Sequence, residues 1–207
     1  LGQIGDGRRF GYGCTMTHPI PSPAAPDHSA GPRFVHLKVH SAYSLLEGAL
    51  PISKLAKLAS KLGFPALGLT DTNNLFGALE FSDKVAQTGI QPIVGVSLAV
   101  DFEEAARSGT GIAGLPVLPP ARRDGMLALL AMNEAGYQNL LKIVSRAHMG
   151  TGDGEPPHAK ISHVAAYAEG LIALTGGPEG PIDGALADNQ RPVAAARLTT
   201  LTKIFGA

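Results

Sequence analysis

Phe-Val-His-Leu-Lys-Val-His-Ser-Ala-Tyr-Ser (34–44) and Leu-Thr-Asp-Thr-Asn-Asn-Leu-Phe-Gly (69–77) decide the reading of this sequence. Phe34, Val35, Leu37 and Val39 predict a short buried strand, and Ala66–Thr70 predicts a second. Both runs end in polar residues. Between them Ile52, Leu55, Ala56, Ala59 and Leu62 recur at helical spacing and mark one apolar face. Gly63 suits the C′ position of that helix, and Pro65 prevents its continuation. A β/α protein builds its site at the carboxyl ends of its strands. The polar residues after each run are therefore the first candidates for chemistry.

The same rhythm continues along the chain. A helix is predicted from about Gly77 to Thr88, ending at Gly89, and a strand over Gln91–Val100. A Gly- and Pro-rich loop is predicted from Asp101 to Asp124, a strand over Met126–Met132 and a helix over Gly136–Ala147. A second loop spans about 149–158. A fifth strand is predicted over Gly170–Thr175, followed by Gly176-Gly177-Pro178 and a last helix over Val193–Phe205. Strands alternating with helices predict an α/β fold with a parallel sheet or barrel. Five strands do not close a (β/α) barrel of about eight, so the domain is expected to continue past Ala207. Residues 1–33, with five prolines and six glycines, are expected to be a disordered leader, with Met16 an alternative start.

Composition excludes several classes. The 207 residues are 44% hydrophobic with formal net charge +0, typical of a globular protein and unlike a strong polyanion binder, although a local basic patch is compatible with it. The single cysteine, Cys14, allows no internal disulfide and fits a reducing compartment, so cytoplasm is expected. No apolar run is long enough for a membrane span and no secretory signal is apparent, so no membrane partner is expected.

From about Phe34 to Ala207 the chain resembles the PHP (polymerase and histidinol phosphatase) domain family, in the form found at the N-terminus of bacterial DNA polymerase III alpha subunits. The strings that carry the resemblance are Phe-Val-His-Leu-Lys-Val-His-Ser-Ala-Tyr-Ser-Leu-Leu-Glu-Gly (34–48) and Pro-Ala-Leu-Gly-Leu-Thr-Asp-Thr-Asn-Asn-Leu-Phe-Gly-Ala-Leu-Glu-Phe (65–81). Gly-Ile-Gln-Pro-Ile-Val-Gly (89–95), Leu-Leu-Ala-Met-Asn-Glu-Ala-Gly-Tyr-Gln-Asn-Leu (129–140) and Glu-Gly-Leu-Ile-Ala-Leu-Thr-Gly-Gly (169–177) add to it. The resemblance implies a distorted (β/α)7 barrel, here truncated at its C-terminus, with residues 34–207 forming a partial PHP domain. Active members bind up to three divalent metals, which lower the pKa of bound water for attack on phosphorus.

Carried over position by position, that metal site is mostly gone. The family's His-x-His becomes Lys38 and His40, and the following acid is Glu47. Its Thr-Asp-His reads Thr70-Asp71-Thr72. Ser97 stands for a glutamate, Met126 for a histidine and Gly177 for a cysteine, and the last Asp-x-His motif would lie past residue 207. A catalytic metal needs about three protein ligands, and only His40 and Glu47 remain. The expectation is a vestigial cleft of Lys38, His40, Glu47, Asp71, Thr72, Ser97, Met126 and Gly177, with no catalytic residue and no metal. Lys38 is expected to pair with Glu47 or Asp71.

Plainer roles are expected for the other polar residues. His36 shares a strand face with Lys38 and His40 and reads as part of a polar interior. Asp71 reads as a cap for the turn containing Asn73 and Asn74. Tyr43 and Tyr137 read as core-edge aromatics, and His148, His158 and His163 as loop residues. Gly176-Gly177-Pro178 reads as a turn, since no Lys-Ser/Thr follows as in a phosphate loop. Asp101, Glu103 and Glu104 read as a solvated loop.

The resemblance also implies a function. The parent would be a DNA-directed DNA polymerase using Mg2+ and deoxynucleoside triphosphates, with its palm downstream of this segment. The segment itself would be a scaffold without a cofactor. Its partners would be other polymerase III holoenzyme subunits, above all the proofreading exonuclease, with DNA reached through the parent. The alternatives are a metal-dependent PHP phosphoesterase and a generic β/α interaction module.

Overall fold

The computed structural model describes residues 34–103, 125–152 and 154–206. The expected leader, with Cys14 and Met16, and most of the expected 101–124 loop, including Glu104, lie outside the described residues.

The first helix, α1 (Ile52–Lys61), buries Ile52, Leu55, Ala56 and Ala59, the face its spacing predicts, while Leu62 is exposed beyond its end. Gly63 adopts φ 69°. Its N–H donates to Ser60 O and the Phe64 N–H to Ala59 O, so the helix closes in a Schellman turn. Strand β1 (Ala66–Thr72) follows, with five consecutive buried residues, the pattern of a strand covered on both faces. Helix α2 (Ala78–Ala86) buries Phe81 and Val85 and leads to β2 (Gln91–Asp101), which pairs parallel to β1.

Strand β3 (Met126–Ala131) corrects the expected parallel sheet, because it pairs antiparallel to β2. The chain leaving β2 comes back at the same end of the sheet, so it needs no crossover to the far end. Helix α3 (Glu134–Met149) starts at Asn133, whose side chain accepts from the Gly136 N–H at 2.9 Å. A Cβ on Gly136 would stand 1.9 Å from Gly170 O, so only glycine lets this turn approach so closely. Short elements follow: β4 (Ala159–Lys160), parallel to the end of β2, and α4 (Ile161–Ala166). Strand β5 (Leu171–Leu174) is antiparallel to β3, giving the sheet order β1-β2-β3-β5. A 3-10 turn (Gly177–Glu179), α5 (Pro181–Ala187) and α6 (Arg191–Phe205) complete the described chain.

The strand expected at 34–39 is instead an extended segment with one parallel bridge, His36 to Leu67. The Gly68 N–H donates to His36 O and the Thr70 N–H to Val39 O. Donors two residues apart thus meet acceptors three apart, and the extra residue breaks the ladder. Of the residues expected to be buried, Phe34 is exposed and Val35, Leu37 and Val39 are only half-buried, and His36 and Lys38 are exposed. His36 stands between the Phe34 and Phe64 rings, at 4.6 and 5.0 Å, and is not part of a polar interior.

Two apolar clusters hold the fold. One gathers Ile52, Leu67, Leu69, Phe81 and Val85 between β1 and the helices α1 and α2. The other gathers Val96, Leu98, Leu127, Leu129, Leu140 and Ile143 between β2, β3 and α3. No helix among the described residues is long and apolar enough to cross a membrane.

Candidate functional site

The polar residues after the 34–40 segment and after β1 come together at one end of the sheet. Asp71 is buried on β1 and reaches back to the 41–44 turn. It accepts from the Ser41 N–H at 2.7 Å, from Ser41 Oγ at 2.7 Å and from Ser44 Oγ at 2.6 Å. Its expected role as cap of the following turn is corrected. That turn is made by Asn74, whose Oδ1 accepts from the Phe76 N–H, and by Asn73, whose Oδ1 accepts from the Ala99 N–H.

Ser44 joins the acid to the rest of the site. Its hydroxyl donates to Asp71, accepts from the Thr72 N–H at 3.0 Å and lies 3.4 Å from His40 Nδ1. His40 Nδ1 is also 3.3 Å from Thr72 Oγ1 and 3.5 Å from Glu47 Oε2. The Thr72 hydroxyl donates to the same Glu47 oxygen. One imidazole nitrogen is thus surrounded by two hydroxyls and a carboxylate. Sequence reasoning missed Ser41 and Ser44, because hydroxyl residues in a turn carry no periodic signal.

Lys38 takes no part in this cluster. Its Nζ donates to Gly176 O at 3.2 Å and lies 3.8 Å from Glu179, which corrects its expected pairing with Glu47 or Asp71. The contact ties the first extended segment to the turn after β5. Ser97 is the register partner of Thr72 on β2, and Met126 begins β3 opposite Ala99. Gly177 starts the 3-10 turn at φ 71°. Because β3 runs antiparallel, its first residue lies at the end where β1 and β5 finish. All eight positions of the expected cleft therefore belong to this end of the sheet, in three groups: Lys38 and Met126 against the 176–179 turn that holds Gly177, His40 with Glu47, Thr72 and Asp71 through Ser44, and Ser97 beside Thr72. Buried Thr70 Oγ1 and Ser97 Oγ have no hydrogen-bond partner among the described residues.

The remaining expectations resolve as follows. Tyr43 is half exposed and its hydroxyl donates to Glu80 at 3.3 Å, while Tyr137 is partly buried on α3. His148 is on α3, with Nε2 2.8 Å from Asn73 O, and His163 is on α4, so both are corrected from loop residues. His158 is in a loop. Glu103 is not free in solvent. It accepts from the Ser162 N–H at 3.2 Å, and hydrogen bonding from the Ser162 side chain, then from its backbone, holds the Glu103 carboxyl below the usual carboxylate range.

Residues 36–207 match the family model described as the PHP domain. The chain belongs to the PHP domain family. It is 42% identical over 176 residues to DNA polymerase III subunit alpha of Caulobacter vibrioides, covering 85% of this chain and 14% of that protein. It is 37% identical over 186 residues to DNA polymerase III subunit alpha of Saccharopolyspora erythraea, covering 84% of this chain and 16% of that protein. The chain thus spans about a seventh of the length of these relatives. Among solved structures, an amidohydrolase from Chromobacterium violaceum aligns at 20% identity with a TM-score of 0.39, over 82% of this chain and 49% of that one.

PHP membership implies divalent metals, and the donor set here does not fit them. Among the described residues no group of three or more His, Cys, Asp or Glu side chains is placed to hold a metal ion. The Asp71 oxygens are taken by Ser41 and Ser44. His40 and Glu47 leave one imidazole and one carboxylate, fewer than the three ligands a catalytic centre needs. Ser97, Met126 and Gly177 add a hydroxyl, a thioether and no side chain.

Proposed function

We propose that this chain is the PHP segment of a DNA polymerase III alpha subunit and serves there as a scaffold without hydrolytic chemistry of its own. The observation that carries the assignment is the 42% identity to such a subunit over 176 residues. The scaffold role is supported by the donor set, in which hydroxyls and a lysine occupy positions that ligands would need. Hydrogen bonds now tie the cleft together: Asp71 anchors the 41–44 turn, and Lys38 anchors the turn after β5. In this reading the described sheet is one arc of a distorted (β/α)7 barrel. The parent polymerase works in the cytoplasm with Mg2+ and deoxynucleoside triphosphates. The segment itself takes no cofactor, and its nearest partner among the holoenzyme subunits is the proofreading exonuclease.

The test is metal analysis of the purified chain together with capture of a purified exonuclease subunit. The expected result is substoichiometric Zn and Mn, a melting temperature unmoved by chelator, and a complex with the exonuclease. A structural metal would couple to folding and lower the melting temperature on removal. Stoichiometric metal with chelator-sensitive phosphatase activity would replace the scaffold with a phosphoesterase.

A further inference from the structure

Away from the cleft, the outer face of α3 presents Gln138, Leu141, Lys142, Ser145 and Arg146. With Tyr167, the residue after α4, they line a shallow recess of about 300 Å³. Lys142 Nζ lies 5.5 Å and Arg146 Cζ 5.3 Å from the centroid of the Tyr167 ring. Both cations are thus held over one aromatic ring. No carboxylate lines the recess, and neither cation has an ion-pair partner among the described residues. Like charges at i and i+4 repel each other. The ring steadies them but does not neutralise them, so an anion bridging both is the complementary ligand.

We infer that this recess is a docking site for the phosphodiester backbone of a nucleic acid. Lys142 and Arg146 leave the helix one turn apart, about 6 Å of axial rise, so their two flexible side chains can each meet a different phosphate of one strand. The recess is open, with no wall to enclose and desolvate a small anion, which favours a polymer that repeats its charge. An acidic peptide has no fixed charge spacing and loses more side-chain freedom on binding. The Tyr167 ring is occupied by its two cations, so contact is with phosphate rather than with bases, and it carries no sequence preference. The site depends on the recess alone and not on the polymerase assignment.

The test is fluorescence anisotropy of the full 207-residue chain with a labelled DNA duplex across a salt series. Two phosphate contacts contribute about 1.8 to the slope of log K against log salt. Lys142→Gln/Arg146→Gln is expected to lower the slope by that amount, and each single change by about 0.9. Arg146→Lys is expected to keep the slope, and circular dichroism checks that every variant is folded. The single variants carry the test if the double variant does not fold. An unchanged slope in folded variants overturns the proposal. So does displacement of the duplex by inorganic phosphate at matched ionic strength, which would make the recess a small-anion site. Tighter binding of poly-glutamate than of DNA overturns it as well, in favour of an acidic polypeptide.

Discussion

At the residue scale, Asp71 organises the cleft. Three donors converge on its buried carboxylate, two of them from Ser41 and one from Ser44. Hydrogen bonds to a charged group contribute about 1.5–3 kcal/mol each, and their donors are costly to leave unpaired. Asp71→Ala should therefore destabilise the chain by about 3 kcal/mol or more, read from urea unfolding. A loss under 1 kcal/mol would mean that the serines find water instead. Leu46 shows the opposite case. It has φ 67° and its side chain is fully exposed, so it bears left-handed strain without burial in return. Leu46→Gly should raise the urea midpoint, corresponding to a gain of about 0.5–1 kcal/mol. A lowered midpoint would show that the leucine packs in solution.

At the scale of elements, the Schellman turn after α1 isolates one backbone effect. Nothing lies within 4 Å of a Cβ on Gly63, so Gly63→Ala tests conformation without a clash. It should cost about 1 kcal/mol in thermal or urea unfolding. The start of α4 depends on pH through Glu103. Its lowered pKa means that the cap is present above the unfolded value of about 4.3 and is lost as pH falls through the folded value. The exchange protection factor of the Ser162 amide should fall between pH 6 and pH 3, and Glu103→Gln should remove that dependence. Elements with a strong period were legible in the sequence: Ile52, Leu55, Ala56 and Ala59 marked α1, and the apolar run 91–100 marked β2. Ala159–Lys160, Ile161–Ala166 and Pro181–Ala187 were not, because two to seven residues hold too little period to register. The direction of β3 was hidden for another reason. An apolar run such as Met126–Ala131 reads the same either way, and its pairing is fixed by tertiary contacts. In the cleft, the positions were legible by resemblance, whereas the partners of Asp71 and Lys38 depended on where the turns 41–44 and 176–179 finally lie.

At the scale of the whole molecule, the two apolar clusters meet across one strand, β2. Val94 packs against the first cluster, while Val96 and Leu98 belong to the second. Disruption on either side of that strand should therefore reach the other. Phe81→Ala and Leu140→Ala each remove a fully buried side chain, one from each cluster, and should each cost about 3–4 kcal/mol. Circular dichroism and tyrosine fluorescence should both report the loss as a shift of one common transition. Separate transitions would show that the clusters unfold independently. The reversed direction of β3 has a practical outcome. Ala99 and Met126 are register partners, and the Val100 N–H donates to Gly125 O, so the sheet itself holds the two ends of the intervening stretch side by side. Closure entropy grows only slowly with length, which makes this junction a natural port for grafting: a reporter domain or affinity tag could be spliced between Glu103 and Gly125 without altering the pairing on either side.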